Sequence, residues 1–116
     1  MSTYTIYHNP RCSKSRKTLA MLNERGIEPE IVEYLKSPLS VGELQSLQQK
    51  LGTPALAMIR SKEQAFKDLG LNDGQLSDAS LLDAIAKHPV LLERPIVVCA
   101  ENAVIGRPPE IVLELL

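Results

Sequence analysis

The sequence predicts an α/β domain on a mixed four-stranded sheet, in the order β-α-β, then helices, then β-β-α. Three observations predict it. β-Branched and aromatic runs near both ends of the chain read as strands. A pattern of helical period directly follows the first of them. The last two strands are so close in sequence that only a hairpin can join them, whereas the first two are spaced for a helical crossover. The 116 residues make one ordinary domain over 1–116, because chains usually divide only beyond about 250 residues.

Thr3 to Tyr7 (TYTIY) is the first strand, closed by the turn pair Asn9-Pro10. Ser15, Thr18, Leu19 and Leu22 then recur at helical spacing, and Gly26 supplies the stop. Ile31 to Leu35 is the second strand, ended by Ser37-Pro38 and parallel to the first with a right-handed crossover. Residues 39–90 form a helical insertion. Ser40 and Glu43 make a capping box ahead of Leu44, Leu47 and Leu51. Thr53-Pro54 opens a further helix carrying Leu56, Ile59, Phe66 and Leu69, with a break near Ser61. Ser77 caps another that turns Leu81, Leu82 and Ile85 inward and stops at His88-Pro89. Pro95 introduces the strand Ile96 to Cys99, Glu101-Asn102 turns, and Ala103 to Ile105 returns antiparallel. Pro108 and Pro109 suit the first turn of a last helix with Ile111, Val112, Leu115 and Leu116 on one face. This order is that of thioredoxin-like (glutaredoxin-like) domains, in which the third strand runs antiparallel to the first.

Composition excludes several classes. The 44% hydrophobic content supports a core and argues against disorder, and no apolar run nears the ~18 residues of a membrane span. Arg11, Lys14, Arg16 and Lys17 stand where a signal sequence would carry its apolar core, so secretion is not indicated. Two cysteines are too few for a disulfide scaffold and suit a reducing cytoplasm. The net charge of −1 speaks against a nucleic-acid binder. Neither nucleic acid nor membrane is an expected partner, and the chain is expected to be a monomer. The average conceals an asymmetry: residues 1–23 carry four basic side chains and no acid, while 24–116 carry a formal −5.

That basic stretch surrounds Cys12, which lies where the first strand turns into the first helix. A cysteine at a helix N-terminus meets unpaired backbone N–H groups and the positive end of the helix dipole, and both favour thiolate. Its pKa is expected well below the ordinary ~8.5. The same N–H groups suit an oxyanion, so nucleophile and anion site coincide. His8 either orients and supports Cys12 or simply terminates the strand. Arg94 directly precedes the third strand and Arg107 directly follows the fourth; hairpin pairing puts both positions at the sheet edge where Cys12 emerges, and arginine's planar fork suits a tetrahedral oxyanion. Cys99 ends an apolar strand as a small core hydrophobe. It would lie roughly 13 Å along the sheet from the edge near Cys12, at ~3.3 Å per residue, too far for a disulfide.

Other chemistries lack their residues. A Cys-x5-Arg phosphatase loop would need arginine where Thr18 stands, and Ser15 removes any Cys-x-x-Cys pair. Two cysteines and two scattered histidines give no zinc spacing, so no metal is expected. No Gly-rich phosphate loop is present, and His88 before Pro89 reads as a helix-end residue.

His8-Asn9-Pro10-Arg11-Cys12-Ser13-Lys14-Ser15-Arg16, Glu93-Arg94-Pro95-Ile96-Val97-Val98 and Gly106-Arg107-Pro108 resemble the glutaredoxin-linked arsenate reductase family (ArsC family), especially its short YfgD-like members. The resemblance runs over essentially the whole chain, through Tyr34-Leu35 and the helical segment carrying Arg60. It implies a thioredoxin-like fold with a helical insertion, Cys12 as nucleophile, and Arg60, Arg94 and Arg107 as ligands of arsenate or arsenic–cysteine intermediates. His8, Ser15, Arg16 and Pro95 would support the site, Pro95 as the cis-proline of such folds. The implied reaction, part of arsenic detoxification, reduces arsenate to arsenite through a covalent Cys12 adduct. Glutathione is the implied co-substrate and glutaredoxin the implied partner, with no bound cofactor. Ser13 departs from the glycine of many relatives, and the resistance-plasmid members extend beyond the position of Leu116. Two other classes share parts of the pattern. Spx-type transcription regulators bind RNA polymerase but typically use a Cys-x-x-Cys switch, which Ser15 removes. Monothiol glutaredoxins can hold an iron–sulfur cluster with glutathione, but carry Gly-Phe where Ser13-Lys14 stand.

Overall fold

The computed structural model describes residues 4–60, 62–71, 76–106 and 109–115. Thr3, Ser61, Arg107, Pro108 and Leu116 lie outside them. The chain divides into two compact units, one of residues 1–37 and 94–116, the other of residues 38–93.

The first unit holds the whole sheet. Strand β1 (Tyr4–Tyr7) leads into helix α1 (Ser13–Glu24), then strand β2 (Glu30–Val32); strands β3 (Ile96–Cys99) and β4 (Asn102–Ile105) follow late in the chain. The sheet order is β2-β1-β3-β4. β1 pairs parallel with β2 and antiparallel with β3, and β3 pairs antiparallel with β4. These are the directions expected of the thioredoxin-like arrangement. The register sets Tyr7 opposite Ile96 and Tyr4 opposite Cys99, so the start of β3 lies beside the end of β1.

β2 ends earlier than its sequence suggests. The N–H groups of Lys36 and Ser37 both turn back to the Glu33 carbonyl, which takes the chain out of the sheet after Val32 and leaves Tyr34 fully buried. The final segment (Pro109–Leu115) also departs from expectation, forming a 3₁₀ rather than an α-helix. It packs on α1 and β4, and its buried Pro109 and Val112 are three residues apart, the spacing at which 3₁₀ side chains stack. Ile6, Leu22, Val97 and Val112, all fully buried, form the core of this unit.

The Arg94–Pro95 peptide is cis, as the resemblance implies. Beside it, the Gly106 N–H donates to the Pro95 carbonyl at 2.8 Å. A Cβ at Gly106 would lie 2.9 Å from Pro95 Cγ and 3.0 Å from Thr18 Oγ1. Neither a proline ring nor a fully buried threonine moves aside freely. Gly106→Ala is therefore expected to destabilise by about 1–3 kcal/mol, read as a lower denaturant midpoint at unchanged slope. An unaltered midpoint would show that this contact relaxes.

The second unit is helical. α2 (Val41–Leu51) carries the full reciprocal capping box of Ser40 and Glu43 and ends at Gly52 with φ 67°, the left-handed conformation glycine adopts without cost. α4 (Asp78–Lys87) is capped by the Ser77 side chain and buries Leu81, Leu82 and Ile85. It packs against α2 and the 3₁₀ turns Ala55–Met58 and Pro89–Leu91. Of the helix anticipated from Pro54, with its break near Ser61, the first part is only the 3₁₀ turn Ala55–Met58. Ile59 makes a β-bridge with Leu92, the Arg60 N–H donates to the Leu91 carbonyl and the Glu93 N–H to the Met58 carbonyl. This non-local pairing captures the backbone, and only the short helix α3 (Gln64–Asp68) follows. Leu56 and Leu69 are consequently exposed. Among the described residues, no helix is long and apolar enough to cross a membrane.

Candidate active site

Cys12 is the N-cap residue of α1, with extended backbone at φ −92° and ψ 122°. That is the conformation in which an N-cap side chain faces the first free N–H groups of its helix. The loop that delivers it is closely tied. The Cys12 N–H donates to the Asn9 carbonyl at 3.0 Å, and the Cys12 carbonyl accepts from the Arg16 N–H at 3.0 Å. The Arg11 N–H donates to Asn9 Oδ1 at 3.0 Å, and Arg16 Nη1 to the Pro10 carbonyl at 2.9 Å.

Ser15 organises the other side of the loop. Its buried hydroxyl accepts from the Asn9 N–H at 3.1 Å and shares a 2.6 Å hydrogen bond with His8 Nδ1. His8 is itself buried, and its N–H donates to the Val32 carbonyl at 2.8 Å. His8 thus directly follows β1 and is tied to the cysteine loop through Ser15. Burial lowers the His8 pKa below its ordinary value; Glu33 opposes this, and Arg16 adds to it. The folded imidazole titrates below the unfolded one, so as pH falls the unfolded chain takes up its proton first. The His8 contribution is full above about pH 6.5 and is lost below it. Denaturant midpoints of wild type and His8→Gln are expected to converge as pH falls from about 7 to 5. A constant gap between them would contradict this.

Arg94, two residues before β3, brings its guanidinium to the Cys12 thiol and to the hydroxyl of Tyr34. The antiparallel β1–β3 register accounts for that approach. Burial alone would raise the Cys12 pKa, but the backbone N–H groups of Ser15 and Lys14 and the Arg94 guanidinium outweigh it, and the thiol lies below its ordinary value. On Arg94, burial is likewise outweighed, by the Cys12 sulfur and the Tyr34 hydroxyl, so its guanidinium holds its proton more firmly. Such a half-buried thiol, with N–H donors and an arginine beside it, suits attack on a tetrahedral oxyanion.

Of the residues singled out in the sequence, Cys12, His8, Ser15, Arg16, Arg94 and Pro95 belong to this unit. Cys99 is buried at the far end of β3, opposite Tyr4. Arg60 belongs to the other unit. It lies beyond the Ile59 bridge rather than within a helix, and pairs with Glu63 and, at 3.8 Å, with Glu93. Arg107 lies outside the described residues. Tyr34 falls outside β2, although the sequence places it in the second strand; its place beside Arg94 depends on the turn after β2, for which no local signal exists. Among the described residues no cluster of three or more His, Cys, Asp or Glu could hold a metal ion.

The ArsC family model matches residues 7–115. This chain belongs to the ArsC family. Among ArsC relatives it is 53% identical to a protein named arsenate reductase from Haemophilus influenzae, over 96% of this chain and 97% of that protein. It is 51% identical to the uncharacterized protein YfgD of Escherichia coli K12, over 95% and 93%. A solved structure described as arsenate reductase from Vibrio cholerae superimposes with a TM-score of 0.96 at 54% identity, covering 99% of this chain and 98% of that one.

Proposed function

We propose that this chain is a cytoplasmic arsenate reductase that uses glutathione and glutaredoxin as electron donors. The observation that carries the reading is the Cys12 thiol, held below its ordinary pKa at the α1 N-terminus with Arg94 against it. Relatives named arsenate reductase, at about half identity over almost their whole length, support the choice of oxyanion.

In this mechanism the Cys12 thiolate attacks the arsenic of arsenate. A sulfur–arsenic bond forms and one arsenic–oxygen bond breaks, the oxygen leaving as water after protonation. The N–H groups of Lys14 and Ser15 and the Arg94 guanidinium stabilise the anionic adduct. Glutathione then attacks the Cys12 sulfur. A disulfide forms, the sulfur–arsenic bond breaks, and its electron pair passes to arsenic, reducing As(V) to As(III), which leaves as arsenite. Glutaredoxin takes the glutathionyl group from the mixed disulfide and returns Cys12 to thiolate. Anion-binding roles for Arg60 and Arg107 rest on the family resemblance alone. External thiols supply both electrons, so no bound redox cofactor enters.

The test is arsenite formation from arsenate with purified protein, glutathione and glutaredoxin, and with each omitted in turn. The expected result is sustained turnover only in the full mixture. No arsenite above the protein-free control would overturn the substrate assignment, and undiminished turnover without glutaredoxin would overturn the donor.

A further inference from the structure

The donors on Cys12 come from two parts of the fold. The Lys14 and Ser15 N–H groups meet its sulfur from the first turn of α1, and the Arg94 guanidinium meets it from the segment before β3. The Tyr34 hydroxyl, carried in by the turn after β2, lies on the same guanidinium. Arginine presents five N–H donors in a rigid fork. A guanidinium fixed to the sulfur and to Tyr34 keeps further donors for an oxygen that comes to lie beside that sulfur.

None of these features is particular to arsenic. They favour any displacement by the Cys12 sulfur in which an oxygen departs with negative charge. A disulfide leaves as a thiolate, whose sulfur accepts hydrogen bonds weakly, and draws little from such donors. A hydroperoxide draws the most: its oxygen–oxygen bond breaks to give an alkoxide or hydroxide, a poor leaving group until N–H donors stabilise it. The half-buried sulfur is within reach of so small a molecule. Cys99 stands opposite Tyr4, at the end of β3 remote from the Tyr7–Ile96 pair. An oxidised Cys12 therefore meets no second cysteine of the chain and awaits an outside thiol.

We infer that Cys12 has a second activity, the reduction of hydroperoxides, in which Arg94 holds the leaving oxygen. The sulfur attacks the terminal oxygen of R–O–O–H. A sulfur–oxygen bond forms, the oxygen–oxygen bond breaks, and its electron pair departs on RO⁻, which takes a proton from water to become the alcohol. The sulfur is oxidised by two electrons to the sulfenic acid, and the peroxide is reduced by the same two. Glutathione then forms a mixed disulfide with Cys12, and the sulfenic oxygen leaves as water. Through glutaredoxin, a second glutathione restores the thiol and departs as oxidised glutathione. This activity goes beyond arsenate reduction yet passes through the same mixed disulfide, so one regenerating route serves both.

The test needs no arsenate. Wild type, Arg94→Ala, Arg94→Lys, Cys99→Ala and Cys12→Ser are exposed to tert-butyl hydroperoxide, and sulfenic acid is trapped with dimedone and mapped by peptide mass. Iodoacetamide alkylation, which releases no oxygen, is run in parallel above every variant's alkylation midpoint, so that ionisation does not differ. Wild-type Cys12 is expected to oxidise at least about a hundredfold faster than the glutathione thiolate, with Cys99→Ala unchanged. Arg94→Ala should lose at least about tenfold more in oxidation than in alkylation, with part recovered in Arg94→Lys. With glutathione and glutaredoxin added, tert-butanol and oxidised glutathione should accumulate in equal amounts, and neither with Cys12→Ser. Oxidation no faster than that of glutathione, or equal losses in the two reactions for Arg94→Ala, would overturn the inference. Hydroperoxide reduction by a protein that forms no arsenite would refute the arsenate reading alone; arsenite formation by a Cys12 inert to hydroperoxide would refute the second activity alone.

Discussion

Replacement of Cys12 by serine is expected to lower arsenite formation by at least about a thousandfold, to the level of the uncatalysed mixture. The size of the loss follows from the chemistry. A serine hydroxyl at the same place is not ionised near neutral pH, and an arsenic–oxygen ester offers glutathione no sulfur on which to form a disulfide. Both the nucleophile and the acceptor of the reducing step disappear together. The fold is expected to survive. Cys12 is only half-buried and occupies the N-cap of α1, a position where serine is among the preferred residues. Thermal unfolding of Cys12→Ser close to that of wild type, alongside lost turnover, would place the defect in the reaction. Residual turnover within tenfold of wild type would remove Cys12 from the mechanism.

Arg94→Ala is expected to reduce arsenite formation by about a hundredfold at neutral pH. Two contributions combine. The variant loses a fixed cation beside the developing anionic adduct, and the Cys12 thiol loses one of the groups that hold its pKa down. The second is separable, because the pH midpoint of Cys12 alkylation by iodoacetamide follows its ionisation and needs no arsenate. The pH midpoint of alkylation is expected to move upward in Arg94→Ala. Arg94→Lys should recover part of the shift, a lysine supplying charge without the planar fork. Tyr34→Phe, which removes the hydroxyl beside the guanidinium, should give a smaller upward shift through a less firmly placed Arg94. An unmoved midpoint in Arg94→Ala would mean that the helix N-terminus alone sets the thiol.

Much of the molecule was legible where short-range physics decides. The Ser40–Glu43 box, the Ser77 cap and the stop at Gly26 act within one helical turn, and each element begins or ends where they place it. Cys12 was legible for the same reason: a strand, a turn pair and a helical pattern fix it at a helix start. Three features depended on partners distant in sequence. Ile59 leaves a helical pattern because Leu92 offers it a bridge. The last segment winds as 3₁₀ because α1 and β4 set the spacing of its buried side chains. Tyr34 meets Arg94 only because the chain turns after Val32, which neither residue announces.

The first turn of α1 and Arg94 together hold the Cys12 thiol below its ordinary pKa. Ultraviolet absorbance of the thiolate against pH, taken as wild type minus Cys12→Ser, tests it most directly. The expected result is an inflection below the ordinary value of a free thiol, the direction in which Cys12 is shifted. An inflection at or above that value would contradict it.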